Sequence, residues 1–235
     1  CQTDQIVRQS LNPLRYWLQR YFNQSSLQNE AENKALFEQK LEQLLAATPQ
    51  PALARELERT RSFLGALLDL HWPDSLYARL EPQGRFENTL TALTTLLQAE
   101  SWQQPTLLVI EDVHWLDDDS RQFLQQLWLS MTAVPDTHYP LALIATSRPE
   151  QQKEADNGTI PWQTIALGEL TPAELNQLAV ELLGGPISPT LQRLLAGRGE
   201  GNPFFTEQIV RYLQEQQLLE ETEAGWAVTA VQQTV

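Results

Sequence analysis

The first hundred residues repeat apolar side chains at intervals of three and four, which is the spacing of an amphipathic helix. The clearest repeat follows Asn12 and Pro13, which are predicted as the N-cap and the first helical residue. The apolar residues of this helix are Leu14, Trp17, Leu18, Tyr21 and Phe22. Later stretches with the same spacing are residues 35–46, 53–70 and 86–99. The pattern predicts a helical region over about residues 10–100.

The pattern changes near residue 106, where apolar residues become continuous. The runs at 107–110 and 141–146 are typical of strands that are covered on both faces of a parallel sheet. An amphipathic helix is predicted between them, after the cap-forming residues 117–120. A strand, a helix and a strand in this order predict a parallel unit with a right-handed crossover. A third short strand is predicted at 164–167.

The last third returns to helical spacing with clear boundary signals. The sequence TPAE at 171–174 is a capping box with proline at the first helical position. Gly184 and Gly185 end that helix, and Ser-Pro at 188–189 and Asn-Pro at 202–203 begin two more. Gly225 is predicted to start a turn into a short strand.

Composition limits the partners and the compartment. The formal charge is −14, from 16 basic and 30 acidic residues, so the surface repels nucleic acid and anionic lipid. A single cysteine excludes an internal disulfide framework. The sequence shows no secretory signal and no apolar run long enough to span a bilayer. These features predict a soluble, cytoplasmic protein. Because the chain starts with Cys1 rather than Met, we expect it to be a piece of a longer polypeptide.

Two carboxylates follow the first predicted strand. Glu111 and Asp112 come directly after the apolar run, and ligands in open α/β sheets bind beyond the carboxyl ends of strands. Phosphoryl transfer to water requires a carboxylate that holds Mg²⁺ and a group that positions the water. Adjacent acids can divide this work, because successive side chains in a strand point in different directions. The alternative is that both are solvated acids where the strand meets a loop.

Arg148 follows the second strand at the same predicted sheet edge. An arginine there can form charge-assisted hydrogen bonds to phosphate. Its alternative is a surface arginine in a loop that Pro149 keeps extended.

The phosphate-binding motif G-x-x-x-x-G-K-[ST] occurs nowhere in the 235 residues. The spaced glycines of GRGEGNPFF at 197–205 do not replace it, because no strand precedes them and no Lys-Ser or Lys-Thr follows. Residues 106–117 therefore supply only half of a nucleotide site.

The sequence EDVHWLD at 111–117, followed by Ser120, resembles the extended Walker B segment of STAND-type signal-transduction ATPases, a branch of the AAA+-related P-loop NTPases. The resemblance extends to a sensor at 145–149 and to a G-x-P motif at 201–203. It implies that Glu111 binds Mg²⁺, that Asp112 activates water and that Arg148 senses the γ-phosphate. It also implies that Gly201 and Pro203 bind the ATP cofactor, with the proline near the adenine. His114 is interpreted as a packing or hydrogen-bonding residue.

The implied fold is α/β. A partial P-loop NTPase core with a parallel sheet spans residues 1–168 and contains a helical insert at about 10–100, a Walker B strand at 107–112 and a sensor strand at 141–146. A helical lid at 169–213 and the start of a winged-helix-like module at 214–235 follow. The chain departs from the family pattern because the first strand, the phosphate-binding loop and its lysine are missing.

The resemblance implies an ATP- and Mg²⁺-dependent switch in a signalling or transcription-regulating protein. The expected partners are other domains of the same polypeptide and further copies of the chain, without direct nucleic-acid binding or membrane contact. An alternative is a non-catalytic scaffold that retains the fold. A third hypothesis is a metal-dependent hydrolase built on Glu111, Asp112 and Asp117, although the sequence lacks the histidines that such sites normally recruit.

Overall fold

The computed structural model describes residues 10–133, 139–148, 150 and 158–229. The chain divides into two compact units, Cys1–Trp162 and Gln163–Val235. The first unit contains α1 (Asn12–Tyr21), α2 (Glu30–Ala47), α3 (Pro51–Leu67), α4 (Leu76–Arg79), α5 (Pro82–Gln103), β1 (Thr106–Ile110), a 3-10 helix (Val113–Trp115), α6 (Asp118–Thr132) and β2 (Leu141–Ala145). The second contains α7 (Pro172–Leu183), α8 (Pro189–Gly199), α9 (Pro203–Glu215), β3 (Leu219–Thr222) and β4 (Gly225–Val228).

The predicted helical region over about residues 10–100 is confirmed as α1 to α5, and these five helices are called the insert. Helix α2 begins with a capping box in which Asn29 and Glu32 exchange side-chain and backbone hydrogen bonds. Helices α3 and α5 pack along each other. Their apolar faces contribute to one core with fully buried Phe37, Phe63 and Leu93.

The predicted N-cap of α1 is wrong by one residue. Helix α1 begins at Asn12, which is itself buried, and the N-cap is Leu11 in the left-handed conformation with a φ of 56°. Backbone hydrogen bonds explain the shift, since the Leu11 carbonyl already accepts from the Leu14 and Arg15 amides. Pro13 lies in the first turn. Proline is tolerated there because a backbone N–H in the first turn has no acceptor within the helix.

Strands β1 and β2 pair in parallel, as predicted, with Thr106 opposite Leu141 and Ile110 opposite Ala145. Leu108 and Ile110 are buried in the core of the unit. Leu107 and Ile144 are 54% and 49% exposed. The prediction that both faces are covered is therefore wrong for the described residues, because this pair of strands packs on one face only.

The second unit confirms the predicted helix boundaries. Thr171 and Glu174 form the capping box of α7, and Gly184 ends the helix in the left-handed conformation. Ser188 and Asn202 cap α8 and α9 with their side chains. The three helices enclose a separate core whose buried members include Ala179, Leu191, Leu195, Val210 and Leu213.

The β structure of the second unit is an antiparallel hairpin of β3 and β4. The predicted strand after Gly225 is confirmed. The predicted strand at 164–167 is wrong, since these residues form no strand and Ile165 and Leu167 are 78% and 91% exposed. A strand requires a neighbouring backbone for its hydrogen bonds. The two sheets of the described residues consist of β1 with β2 and of β3 with β4.

None of the described helices combines the length and the apolar character that crossing a lipid bilayer requires.

Candidate functional site at the carboxyl ends of β1 and β2

The parallel register brings the predicted site residues of the first unit to one sheet edge. Ile110 and Ala145 are opposite each other at the ends of β1 and β2. Glu111 and Asp112 therefore leave β1 at the same edge at which Thr146 and Arg148 leave β2. This is the edge at which open α/β sheets bind ligands.

Thr146 joins the two strand ends through three hydrogen bonds. Its amide donates to the Ile110 carbonyl at 2.9 Å, and its own carbonyl accepts from the Val113 amide at 2.9 Å. Its side-chain Oγ1 accepts from the Asp112 amide at 3.0 Å. Both backbone and side chain of Thr146 thus fix the segment that carries the two acids.

Asp112 adopts the left-handed backbone conformation, with a φ of 52° and a ψ of 49°. This conformation is uncommon outside glycine, although aspartate tolerates it better than most residues. It turns the chain from β1 into the 3-10 helix. The adjacent acids consequently differ in surroundings, since Glu111 is exposed and Asp112 is partly buried.

The 3-10 helix places His114 and Trp115 between the catalytic candidate and the arginine. His114 Nε2 lies 3.9 Å from Asp112 Oδ1. The imidazole meets the Trp115 ring edge-on, with 4.9 Å between ring centroids. The guanidinium of the exposed Arg148 lies 5.5 Å from the centroid of the Trp115 ring, which is a cation–π contact. The side chain of Arg148 therefore contacts the 3-10 helix that follows Glu111 and Asp112.

Comparison with known families identifies this part of the chain. The family profile described as AAA ATPase domain matches residues 4–144, more than half of the sequence. The chain belongs to the AAA ATPase domain family. Membership implies nucleotide binding, typically with Mg²⁺, and confirms the predicted relation to the AAA+-related P-loop ATPases. No match was found among curated proteins or among solved structures.

The matched region of the AAA ATPase domain includes Glu111 and Asp112 and ends before Arg148. The roles of these three residues and those of Gly201 and Pro203 remain predictions.

The donor set at the strand end fits Mg²⁺ of the kind that a nucleotide brings with it. Such Mg²⁺ is held by one or two carboxylates, with water and substrate phosphates completing its shell. Glu111 and Asp112 supply two carboxylates at one edge. Among the described residues, no group of three or more His, Cys, Asp and Glu side chains is placed to hold a metal. The two carboxylates therefore fit a magnesium ion whose other ligands are water and nucleotide phosphates, and their assignment as ligands stays a prediction.

Asp117 caps a helix. Its Oδ1 accepts from the Ser120 amide at 2.9 Å and from the Leu11 amide at 3.1 Å, and its Oδ2 accepts from the Ser120 hydroxyl at 2.7 Å. The prediction that this residue belongs to the start of the following helix is confirmed. Because its carboxylate is used in this way, the hypothesis of a hydrolase centre that includes Asp117 loses support.

Gly201 and Pro203 lie in the second unit, where both have a structural role. Gly201 has a φ of +72°, and a side chain there would place its Cβ 2.6 Å from Glu169 Cβ. Its carbonyl accepts from the Leu170 amide at 2.8 Å. Pro203 is the first residue of α9, and the Asn202 side chain accepts from the Phe204 amide at 2.9 Å. The motif therefore joins the start of α9 to the segment before α7.

Sequence reasoning missed Thr146. A threonine directly after an apolar strand is a weak signal, and its contact with the Asp112 amide spans 34 positions. The left-handed turns at Leu11 and Asp112 were also missed, since neither residue type demands that conformation.

Proposed function

We propose that this chain carries the Mg²⁺- and water-binding half of the ATP site of a STAND-type regulatory ATPase. ATP binding and hydrolysis would control a signalling or transcription-regulating multidomain protein. The observation that carries the proposal is the shared sheet edge, where Glu111 and Asp112 end β1 beside Thr146 and Arg148. The match to the AAA ATPase domain supports it.

Each residue at this edge has a chemical task. Mg²⁺ would neutralise the charge that develops on the phosphates. Glu111, which is exposed, would hold the ion through its carboxylate. Asp112 would accept a hydrogen bond from the attacking water and orient it. Arg148 would leave the Trp115 ring to donate to the γ-phosphate, for which its planar guanidinium is suited.

The phosphate-binding loop has to come from outside these 235 residues. The lysines of the sequence are Lys34, Lys40 and Lys153, and none follows a glycine. The chain therefore lacks the Gly-Lys pair that cradles phosphates in P-loop proteins.

In this proposal the second unit is a helical lid that leads into a winged-helix-like module. The family resemblance would give Gly201 and Pro203 a role in nucleotide binding. The partners are effector and sensor domains of the same polypeptide, together with further copies of the chain, in the cytoplasm. The charge of −14 opposes direct contact with nucleic acid.

The missing Gly-Lys pair also favours a second candidate, a non-catalytic scaffold that retains the ATPase fold. The two candidates differ in what a complete polypeptide would do. A polypeptide that contains an intact phosphate-binding loop would hydrolyse ATP under the first proposal and not under the second.

Isothermal titration of the 235-residue chain with Mg²⁺ and ATP tests the half-site. We expect no affinity tighter than about 1 mM, which is roughly 4 kcal/mol of binding free energy. Micromolar binding would contradict the proposal that these 235 residues form only half of the ATP site.

Asp112→Asn in the polypeptide with the phosphate-binding loop tests the catalytic assignment. We expect kcat to fall about 100-fold, while ATP binding is retained. Asp118→Asn, at an exposed acid in the first turn of α6, is the matched control and should hydrolyse ATP normally. Equal loss of binding and hydrolysis in Asp112→Asn would assign Asp112 a structural role.

A further inference from the structure

His114 is a buried polar side chain whose ring nitrogens form no hydrogen bond within the part of the chain that the structure describes. Its side chain is 0% exposed, and neither Nδ1 nor Nε2 has a hydrogen-bond partner among the described residues. Buried polar groups are nearly always paired, because an unpaired group loses its hydration without compensation. An unpaired histidine next to a candidate site therefore requires a specific explanation.

The imidazole faces the Asp112 carboxylate. The distance of 3.9 Å between His114 Nε2 and Asp112 Oδ1 is too long for a hydrogen bond. An approach of about 1 Å would create one. The carboxylate is partly exposed, whereas the imidazole is enclosed, so His114 faces Asp112 from the protein side.

The backbone around both residues is held in place. The Trp115 amide donates to the Asp112 carbonyl at 2.8 Å, and Thr146 binds the Asp112 and Val113 amides. On the other side, an Arg121 guanidinium nitrogen donates to the His114 carbonyl at 3.1 Å. The imidazole is thus presented to Asp112 by a segment that is fixed to both β2 and α6.

We propose that His114 is the positioning residue of Asp112. The proton on Nε2 donates to Asp112 Oδ1 when the site is loaded, and the other carboxylate oxygen then accepts from the attacking water. This role rests on the proposed function, because it requires Asp112 to orient water. His114 itself contacts neither water nor nucleotide and acts only through the carboxylate.

The position of the imidazole proton can be measured on the chain itself. Long-range ¹H–¹⁵N spectra of the 235-residue protein at pH 8 should show the proton of His114 on Nε2. His114→Gln removes the signal and assigns it. A proton on Nδ1 alone would overturn the inference, since Nε2 could not then donate, and would leave the proposed ATPase function standing.

Two variants in the polypeptide with the phosphate-binding loop test the role itself. His114→Leu should lower kcat by about 10- to 100-fold with little change in KM, because it removes the donor to Asp112. It should not lower Tm, because it also removes two unpaired buried nitrogens. His114→Gln, whose amide nitrogen can replace Nε2, should recover most of kcat.

The outcomes separate the two proposals. An unchanged kcat in His114→Leu, or losses of kcat and Tm that occur together in both variants, would overturn the positioning role alone. Absence of hydrolysis by the unsubstituted polypeptide would overturn the ATPase proposal and the positioning role with it.

Discussion

The helical insert and the parallel strand pair of the first unit differ in how completely they are packed. In the insert, Phe37, Phe63 and Leu93 are 0% exposed. In the sheet, Leu107 and Ile144 remain half exposed although both are large and apolar. The candidate site lies at the end of the less completely packed region.

The difference follows from where each element finds its hydrogen bonds. A helix satisfies its own backbone and needs only an apolar face against which to pack. A strand depends on neighbours for backbone bonds, and a parallel sheet depends on layers above and below it for burial. The packed helices of the insert can therefore contribute most of the free energy of unfolding. The polar contacts at the ends of β1 and β2 hold Glu111 and Asp112 in position.

Truncation in the insert should have the largest effect on stability. Phe63 is fully buried and meets Tyr77 edge-on, with 5.6 Å between ring centroids. We expect Phe63→Ala to lower the free energy of unfolding by about 3–5 kcal/mol, because it leaves a cavity in a packed core. Urea denaturation measures the loss.

Leu107→Ser is the matched control in the sheet. Because Leu107 is 54% exposed, we expect a loss of at most about 1 kcal/mol. A loss as large as that of Phe63→Ala would show that the face of the strand pair is buried in solution, and the contrast between the two regions would disappear.

Asp117→Ala should weaken the connection between the insert and α6, the helix that joins β1 to β2. The carboxylate caps α6 and also accepts from the Leu11 amide at the start of the insert. We expect a loss of about 1–2 kcal/mol. Asp118→Ala, which removes only an exposed charge in the first turn, should cost a few tenths of a kcal/mol. Equal effects of the two variants would mean that the bond to Leu11 and the cap contribute little.

The elements that were predictable from sequence are those with local causes. The capping box of Thr171 and Glu174 and the parallel order of β1 and β2 follow from short patterns that the structure confirms. The error at 164–167 has a non-local cause, since an apolar run becomes a strand only where a partner backbone is present. The same holds for Thr146, whose importance depends on the chain returning to Asp112.

For the candidate site, the sequence predicted which residues share one sheet edge but not the geometry in which they are held. The sequence places Glu111, Asp112 and Arg148 after two strands, and parallel pairing brings them to one edge. It does not show that His114 would be enclosed and face Asp112, because burial of a polar ring depends on the packing of several distant elements. It also does not show that Arg148 lies over Trp115.

Alkaline pH should reduce stability through the insert. Burial and the hydrogen bond to Glu100 raise the pKa of Tyr21 well above its ordinary value. The neutral phenol therefore stabilises the native state fully below about pH 10, where the unfolded chain is also neutral. Above that pH the unfolded chain releases the proton, and stability falls by up to about 1.4 kcal/mol per pH unit.

Tyr21→Phe isolates this effect. Phenylalanine has no phenol to ionise in the unfolded chain. The free energy of unfolding of the variant should therefore decrease less between pH 10 and 11 than that of the unsubstituted protein. Urea denaturation at several pH values measures the slopes. Identical slopes in both proteins would show that the Tyr21 pKa is not raised.

Removing one hydroxyl from each region gives the smallest and most specific comparison. Thr60 in the insert is buried, and its Oγ1 donates to the Glu56 carbonyl of its own helix. Thr146 Oγ1 instead accepts from the Asp112 amide across the strand ends. We expect Thr60→Val to change the free energy of unfolding by a few tenths of a kcal/mol and Thr146→Val to lower it by about 0.5–1 kcal/mol.

Amide hydrogen exchange reports on the hydrogen bond of Thr146 more directly than the free energy of unfolding of the whole protein. Thr146→Val should speed exchange at Asp112, whereas Thr146→Ser, which keeps the acceptor, should not. Unchanged exchange at Asp112 in Thr146→Val would mean that the left-handed turn is maintained without the hydroxyl. The expected result would instead locate the restraint on Asp112 in a single side chain of the neighbouring strand. In the less completely packed strand pair, specific polar bonds of this kind hold the Asp112 backbone, whereas close packing fixes the side chains of the insert.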